Sequence, residues 1–468
     1  MNKAVVVSAR FRRLGLIGMR ASLRTSVLGG CLAAFSLGQT SVQVPGSTVS
    51  RSITDKLIDH INVKDFGAQC DGNADDTAAF QAAQDTATYG RTIELPPGVC
   101  IISRNINVTR DNIKYRGAGQ ASTYIIATSG VTKLFNVTNN TPTQLVMPEF
   151  SDMAVDLSRT SNGVAFYFNT VRLVYIERVF TTGAYISYWF DRTPGYERGI
   201  NTVHLSHFEI DNTQDAPGAR GILINAIDDD WFITNGRMFQ GSVSRQNIGL
   251  EIRSAAGIMI DNLDMSMYGT GLLIDPPANS VVRYAQIKGL QCDSTWNDTA
   301  VIDGSAAFAS GWPNGVYNLH FINSWFSSAG TTGGNGNGLK IVSATGIVVD
   351  TSQFFSNTMN GLLIQPAAHD ITVSNNEFSG NSNDYGNNGA NTGKYSGIAV
   401  EDRGFGVGLL NNRSGATSWY ANSQQYGISI GNNVNQFRVI GNDLFNNVVA
   451  GLNNLSRSKA SVVNLNLQ

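Results

Sequence analysis

From about residue 160 onward, apolar residues recur in short alternating runs. One unit reads Gly, apolar, any, apolar: GILI at 221, GLEI at 249, GLLI at 271, GLKI at 338, GLLI at 361, GIAV at 397 and GISI at 427. The steps between them are 28, 22, 67, 23, 36 and 30 residues, the 67 being about three steps of 22. A second unit alternates and ends near Asn: WFITN (231–235), IMIDN (258–262), LHFIN (319–323) and ITVSN (371–375). Period-2 alternation puts Ile, Leu, Val and Phe on one face of a strand. No single turn can enclose an interior until its neighbours stack on it. Two short strands per turn, polar bends and variable loops predict an all-β chain: a single-stranded right-handed parallel β-helix of roughly 11–14 turns at ~4.8 Å each. Glycine is expected to supply the tight corner before each strand. Asn at equivalent bends is expected to stack into hydrogen-bonded ladders. A propeller would need four strands per ~40 residues joined by antiparallel turns, which this spacing lacks.

The start of the coil is written differently. Val63–Ala68 (VKDFGA) leads into Asp71-Gly72, a turn signal. Asp75-Asp76-Thr77 then precedes an Ala-rich run, predicting a short capping helix over Asp76–Thr88 that plugs the open end of the solenoid. The three aspartates are expected to accept backbone N–H groups in the turn and cap, not to hold a metal. Next come TIEL, PPG, CIISRNINV and NIKYRG.

The runs VKDFGAQCDGNADDTAAFQAA, GRTIELPPGVCIIS and NIKYRGAG, about 60 residues in all, resemble the opening module of the pectate-lyase-like β-helix superfamily. That module occurs in polygalacturonase-type enzymes, epimerase-like proteins and many phage tailspikes. The preceding SRSITDKLIDHI resembles the segment that joins a tailspike's particle-binding head to its β-helix. The resemblance implies a homotrimeric tailspike on a virion tail. It would bind and depolymerise host surface polysaccharide by hydrolase or lyase chemistry, attached to phage tail or baseplate proteins through its N-terminus. Two alternatives stay open: a glycan-binding fibre without catalysis, and a secreted bacterial pectin-type glycosidase or epimerase. The expected division is a connector over 1–61, an opening module over 62–130, a β-helix body over 131–455 and a short tail over 456–468.

Charge sharpens this picture. Only 15% of the 468 residues are charged, against roughly 25% in an average chain, and 49 are glycine. A neutral polar surface suits sugar hydroxyls better than phosphates, and no basic footprint for nucleic acid exists beyond the N-terminus. Residues 1–54 hold seven basic side chains and no acid, so the body is acidic. Val27–Gly38 is apolar enough for a signal-peptide core but lacks a small-x-small site after it, and no run reaches the ~20 residues of a membrane span. Of the four cysteines, Cys70 and Cys100 flank the predicted helix and could meet, but buried free thiols are the favoured state.

Register converts periodicity into a site. Taking Leu205, Ile233, Ile260, Ile287, Phe321, Val349 and Val373 as equivalent, the fourth residue after each should point outward: Glu209, Arg237, Asp264, Gln291, Trp325, Gln353 and Glu377. Glu209 and Asp264 would sit two turns apart, about 9–10 Å at the backbone. That approaches the roughly 6.5–9.5 Å carboxyl separation of inverting glycosidases. Arg237 between them would keep one carboxylate ionised. Asp228, Asp230 and Asp261 are further acidic candidates, Asp228–Asp230 at the rim. Trp231, Trp325, Tyr268 and Trp296 are candidates for stacking on sugar rings. No cofactor is expected, with calcium held open for the Asp228–Asp230 bend. The histidines His204 and His207 lack a Ser or Cys partner for a nucleophilic triad.

Overall fold

The structure, a computed structural model, describes residues 41–57, 59–138, 144–192, 199–226, 229–309, 315–384, 390–420 and 422–468. The expectations for residues 1–40, and that for Asp228, lie outside the described residues. The chain divides into two compact units, Met1–Asp55 and Lys56–Gln468. In the first, Ser41–Gln43 pairs antiparallel with Ser50–Ser52.

The second unit is the β-helix. Each full turn contributes to three parallel sheets, not two. The first sheet holds the Gly-apolar strands, with Leu250 beside Leu272 and Leu362 beside Ile398. The second stacks Leu205, Ile233, Ile260 and Ile287 in unbroken register. The third is built of very short strands such as Gln353–Phe355 and Glu377–Ser379. Three residues turn only one apolar side chain inward, so alternation alone could not announce this sheet. Followed along one outward column, the third sheet runs from Asp71 to Leu467 over fifteen rungs among the described residues.

Single left-handed residues make the corner between the second and third sheets. His207, Asn235, Asn262, Asn323, Asn375 and Asn411 occupy it on different turns, with φ between 48° and 60°. Asn tolerates this conformation because its short amide bonds locally. The glycines of the Gly-apolar units do something else. They are not left-handed. A Cβ on Gly361 would lie 2.7 Å from the Gly397 carbonyl oxygen, and one on Gly249 would lie 2.7 Å from that of Gly271. Glycine there permits close approach of successive turns, which corrects the expectation of a corner role.

The expected amide ladder sits one residue beyond that corner. Asn376 N–H donates to Asn412 Oδ1 (3.1 Å), Asn412 N–H to Asn442 Oδ1 (2.8 Å) and Asn442 N–H to Asn466 Oδ1 (3.0 Å). Inside, aromatic rings stack along the axis. Phe326, Phe354 and Phe378 have ring centres 4.9 and 4.6 Å apart.

The capping helix spans Thr77–Thr86. Phe80 and Ala83 are fully buried in the core, and Gln84 accepts a hydrogen bond from the Tyr115 hydroxyl at 2.7 Å. Asp71 accepts from Asn73 and Ala74 N–H, Asp75 from Thr77 N–H, and Asp76 from the N–H groups of Gln69, Cys70 and Ile101. Cys70 and Cys100 form a disulfide, against the expectation of free thiols. The parallel pairing of Asp71 with Val99 places them on adjacent rungs, which their separation of 30 residues concealed. Cys292 is a buried free thiol. Residues 456–468, expected as a tail, extend the coil: Val462–Asn464 pairs with Arg438–Ile440.

Candidate active site on the third sheet

The outward column forms as its spacing required. Glu209 pairs in register with Arg237, Arg237 with Asp264, Asp264 with Gln291, Gln291 with Trp325, Trp325 with Gln353, and Gln353 with Glu377. The inner neighbours Ile210, Met238 and Met265 are fully buried and hold each rung in place.

Arg237 Nη1 donates to Glu209 Oε1, and its guanidinium lies 4.9 Å from the centre of the Phe239 ring. Both ends of the ion pair remain partly open to solvent. Among the described residues, Asp264 makes no ion pair. Burial raises its carboxyl above the usual range, Arg237 opposes the rise, and Asp293 adds to it. The two carboxylates beside one guanidinium therefore differ: one is paired, the other desolvated. A groove of about 470 Å³ opens over this column, lined also by His207, Asn235, Asn262 and Gln120.

Two carboxylates at this site escaped the sequence reading, as did the place of His207 in the groove. Asp211 and Asp293 lie two residues beyond Glu209 and Gln291, on the same outward face. Burial raises the Asp211 carboxyl, and Glu209 raises it further. The alternation that exposes the fourth residue exposes the sixth as well, so this signal was present. His207 enters the groove as the corner residue of its turn.

Other candidates fall elsewhere. Trp231 is fully buried, packed edge-on against Phe190 at 5.3 Å, and Tyr268 is also fully buried. Neither can stack on a sugar, because both side chains point into the core. Asp230 is the left-handed residue (φ 72°) at the far end of the second-sheet strand, away from the groove. Asp261 faces outward from the second sheet, across the Asn262 corner, with Lys288 at 3.8 Å. Trp296 is half-buried, with the Arg245 guanidinium 4.4 Å from the ring centre. Trp325 stands on the third sheet with Phe355 at 5.2 Å.

A second acidic cluster lies on the first sheet, where Glu251 of the GLEI unit points outward yet is only 3% exposed. It pairs with Arg220 and lies 3.3 Å from Arg253. Asp275 sits beside it, with Oδ1 buried and without a hydrogen-bond donor. Burial, and then Glu251, push its carboxyl up to about 7, against the pull of Arg253 and Arg220. A carboxyl raised in the folded state favours folding below the ordinary carboxylate range, and that contribution is lost as pH rises through about 7. Denaturant midpoints of the native chain should therefore fall between pH 4 and pH 8. Asp275→Asn should flatten the decline and add about 2–4 kcal/mol at the alkaline end.

Comparison with known proteins places this geometry. Bacteriophage CBA120 tailspike protein 3 superposes with a TM-score of 0.64 at 14% identity, covering 91% of this chain and 65% of that one. The N-terminal fragment of bacteriophage phi29 gene product 12 superposes with a TM-score of 0.57 at 14% identity, covering 86% of this chain and 70% of that one. These similarities are of fold alone. In sequence, 77 residues are 43% identical to the mannuronan C5-epimerase AlgE6 of Azotobacter vinelandii, 15% of this chain and 9% of that enzyme. This chain thus spans under two-thirds of the tailspike and matches a small part of the epimerase. The family described as rhamnogalacturonase A/epimerase, pectate lyase-like, matches residues 60–297, from the first solenoid strand through the rungs of Glu209, Arg237, Asp264 and Gln291. With just over half of its length so matched, the chain belongs to that family.

Proposed function

We propose that this protein cleaves polysaccharide by inverting hydrolysis on the third sheet, with Asp264 as acid and Glu209 as base. The observation that carries this reading is the asymmetry around Arg237: a paired carboxylate one rung above it and a desolvated carboxyl one rung below, in one open groove. A desolvated carboxyl holds its proton closer to neutral pH, as a general acid must. In the proposed step, Asp264 gives that proton to the glycosidic oxygen as the C1–O bond breaks. Water adds to C1 from the opposite side, and Glu209 takes its proton. Two rungs separate the carboxyls by about 9–10 Å at the backbone, leaving room for that water.

The biological reading is a phage tailspike acting on host surface polysaccharide, as a homotrimer attached through its N-terminal segment. It is supported by the connector-like SRSITDKLIDHI and by the shared tailspike fold. The epimerase match supports a second chemistry, removal of a proton from a uronate ring by a carboxylate. Size-exclusion profiles of purified bacterial surface polysaccharides, alginate and polygalacturonate, before and after incubation, test the first reading. Shortening without new ultraviolet absorbance is the expected result. Shortening with absorbance from a new C=C bond would replace hydrolysis by elimination. Retention of glycan without shortening would make the protein a binding fibre.

A further inference from the structure

Further along the same column lies a second groove, of about 590 Å³, which the proposed cleavage does not use. Gln353, Glu377 and Arg413 form its floor on consecutive rungs. Its wall is aromatic. Trp325 and Phe355 have ring centres 5.2 Å apart, and Phe355 and Tyr420 are again 5.2 Å apart. Trp419 closes the rim and is 90% exposed.

The local chain is built for this wall. Residues 415–420 leave the coil as a loop after Arg413-Ser414 and fold back over the preceding turns. Gly380, left-handed at φ 59°, lets Tyr420 approach, since a Cβ there would lie 3.0 Å from Tyr420 Cβ. The Trp325 indole N–H donates to Ser327 Oγ, which donates to Asp293 Oδ1 at 2.6 Å. Burial is the main cause that raises the Asp264 carboxyl, and Asp293 adds to it. The wall is therefore tied by hydrogen bonds to Asp293, whose charge acts on the acid of the first groove.

We infer that the Trp325–Trp419 groove is a distal subsite for the same polysaccharide chain, lying along the solenoid axis and stacking pyranose faces on these rings. This rests on the cleavage site proposed above for its register. Gln353 is three rungs below Asp264, about 14 Å, a span of about three sugar residues. The C–H faces of a pyranose match an aromatic surface, and its hydroxyls match the amide, carboxylate and guanidinium of the floor. A largely exposed tryptophan in a chain of low charge otherwise spends apolar surface on water. The substrate implied is a polymer, and short oligosaccharides that reach only the first groove lose this contact.

The test uses a size-graded digest of the polysaccharide that the protein shortens. If none is shortened, it uses the polysaccharide that most retards the protein in affinity electrophoresis. Wild type, Trp419→Ala and Asp264→Asn are compared by tryptophan fluorescence and by kcat/KM. Trp419 is exposed enough that its removal leaves folding intact. In wild type and Asp264→Asn, oligosaccharides long enough to reach the wall should quench fluorescence and bind about tenfold more tightly than shorter ones, a gain of about 1.4 kcal/mol. Trp419→Ala should lose both the quenching and the length dependence. Identical length profiles for wild type and Trp419→Ala, or no retarded polysaccharide at all, would overturn the subsite. If Asp264→Asn still cleaves while Trp419→Ala loses its length dependence, the catalytic assignment fails and the subsite stands.

Discussion

Glu209→Gln and Asp264→Asn should each lower turnover at least about a hundredfold, the usual scale of general acid–base catalysis. Glycan affinity should persist in both, because amides keep the shape and most of the hydrogen bonding of the groove. Thermal stability should change little for Glu209→Gln, whose side chain is about one-third exposed and sits at a surface ion pair. Asp264→Asn should be neutral or slightly stabilising at neutral pH. Burial raises this carboxyl, so its ionised form opposes folding once pH exceeds the ordinary carboxylate range. The pH profile carries an additional sign. An acid must be protonated, so activity should fall as pH rises through the elevated Asp264 value. Arg237 holds that value down. Arg237→Met should therefore move the alkaline limb to higher pH, while lowering the maximum by removing the partner of Glu209. Stopped assays over a pH series of the three variants check all of this. Unchanged turnover in both carboxamide variants would remove the column from the chemistry.

Asn412→Leu should be among the most destabilising single changes in the C-terminal half. The side chain is 1% exposed and fills its place in the ladder completely. Its Oδ1 accepts from Asn376 N–H and Nδ2, and its Nδ2 donates to Val373 O and Asn442 Oδ1. Leucine has the same branched outline of four heavy atoms and is the larger residue, so no cavity opens. It leaves two or three buried polar groups without partners, each worth about 1–3 kcal/mol. The expected loss is about 3–5 kcal/mol, a large share of the ~5–15 kcal/mol of a typical domain. Because each turn touches only its neighbours, loss should appear first as opening of the last turns. Hydrogen exchange should show loss of protection from about residue 405 onward. The control is Asn411→Gly, next door at the exposed corner, where φ is 53° and glycine is at ease. It should cost little. Equal effects of the two changes would deny the ladder its energetic role.

The solenoid and the candidate column were legible because the bend between the second and third sheets is short. Five residues separate the buried Ile233 from the buried Met238, and the same count holds from Ile260 to Met265. One left-handed residue absorbs the corner, so counting residues survives it. The long loops did not disturb the count, since they lie elsewhere on the turn. The same counting should have placed Trp231, two residues before Ile233, inside. An indole can stack on a sugar only from the outer face, and parity turns this one inward. Asp211 and Asp293 obey the same parity from the outer side, as the second outward position of their strands. Beyond Val373, the segments VSNNEF and VIGNDL could each follow as the next rung by spacing alone. Both are real rungs, and GVGLLNNRS forms another between them, with Val373 beside Leu409 and Leu409 beside Val439. Gly408 takes an outward place there and blurred the alternation. The aromatic wall was invisible for a different reason. Trp419 and Tyr420 reach the third sheet through a loop, and loop paths leave no periodic trace.

The most direct test of the central claim is a structure of the Asp264→Asn variant holding an oligosaccharide from the polysaccharide that the wild-type protein shortens. The sugar should lie along the third sheet, with one glycosidic oxygen within hydrogen-bond reach of residue 264 and a water between that sugar and Glu209. Oligosaccharide ordered on the first or second sheet instead, with the Glu209–Arg237–Asp264 groove holding only solvent, would contradict it.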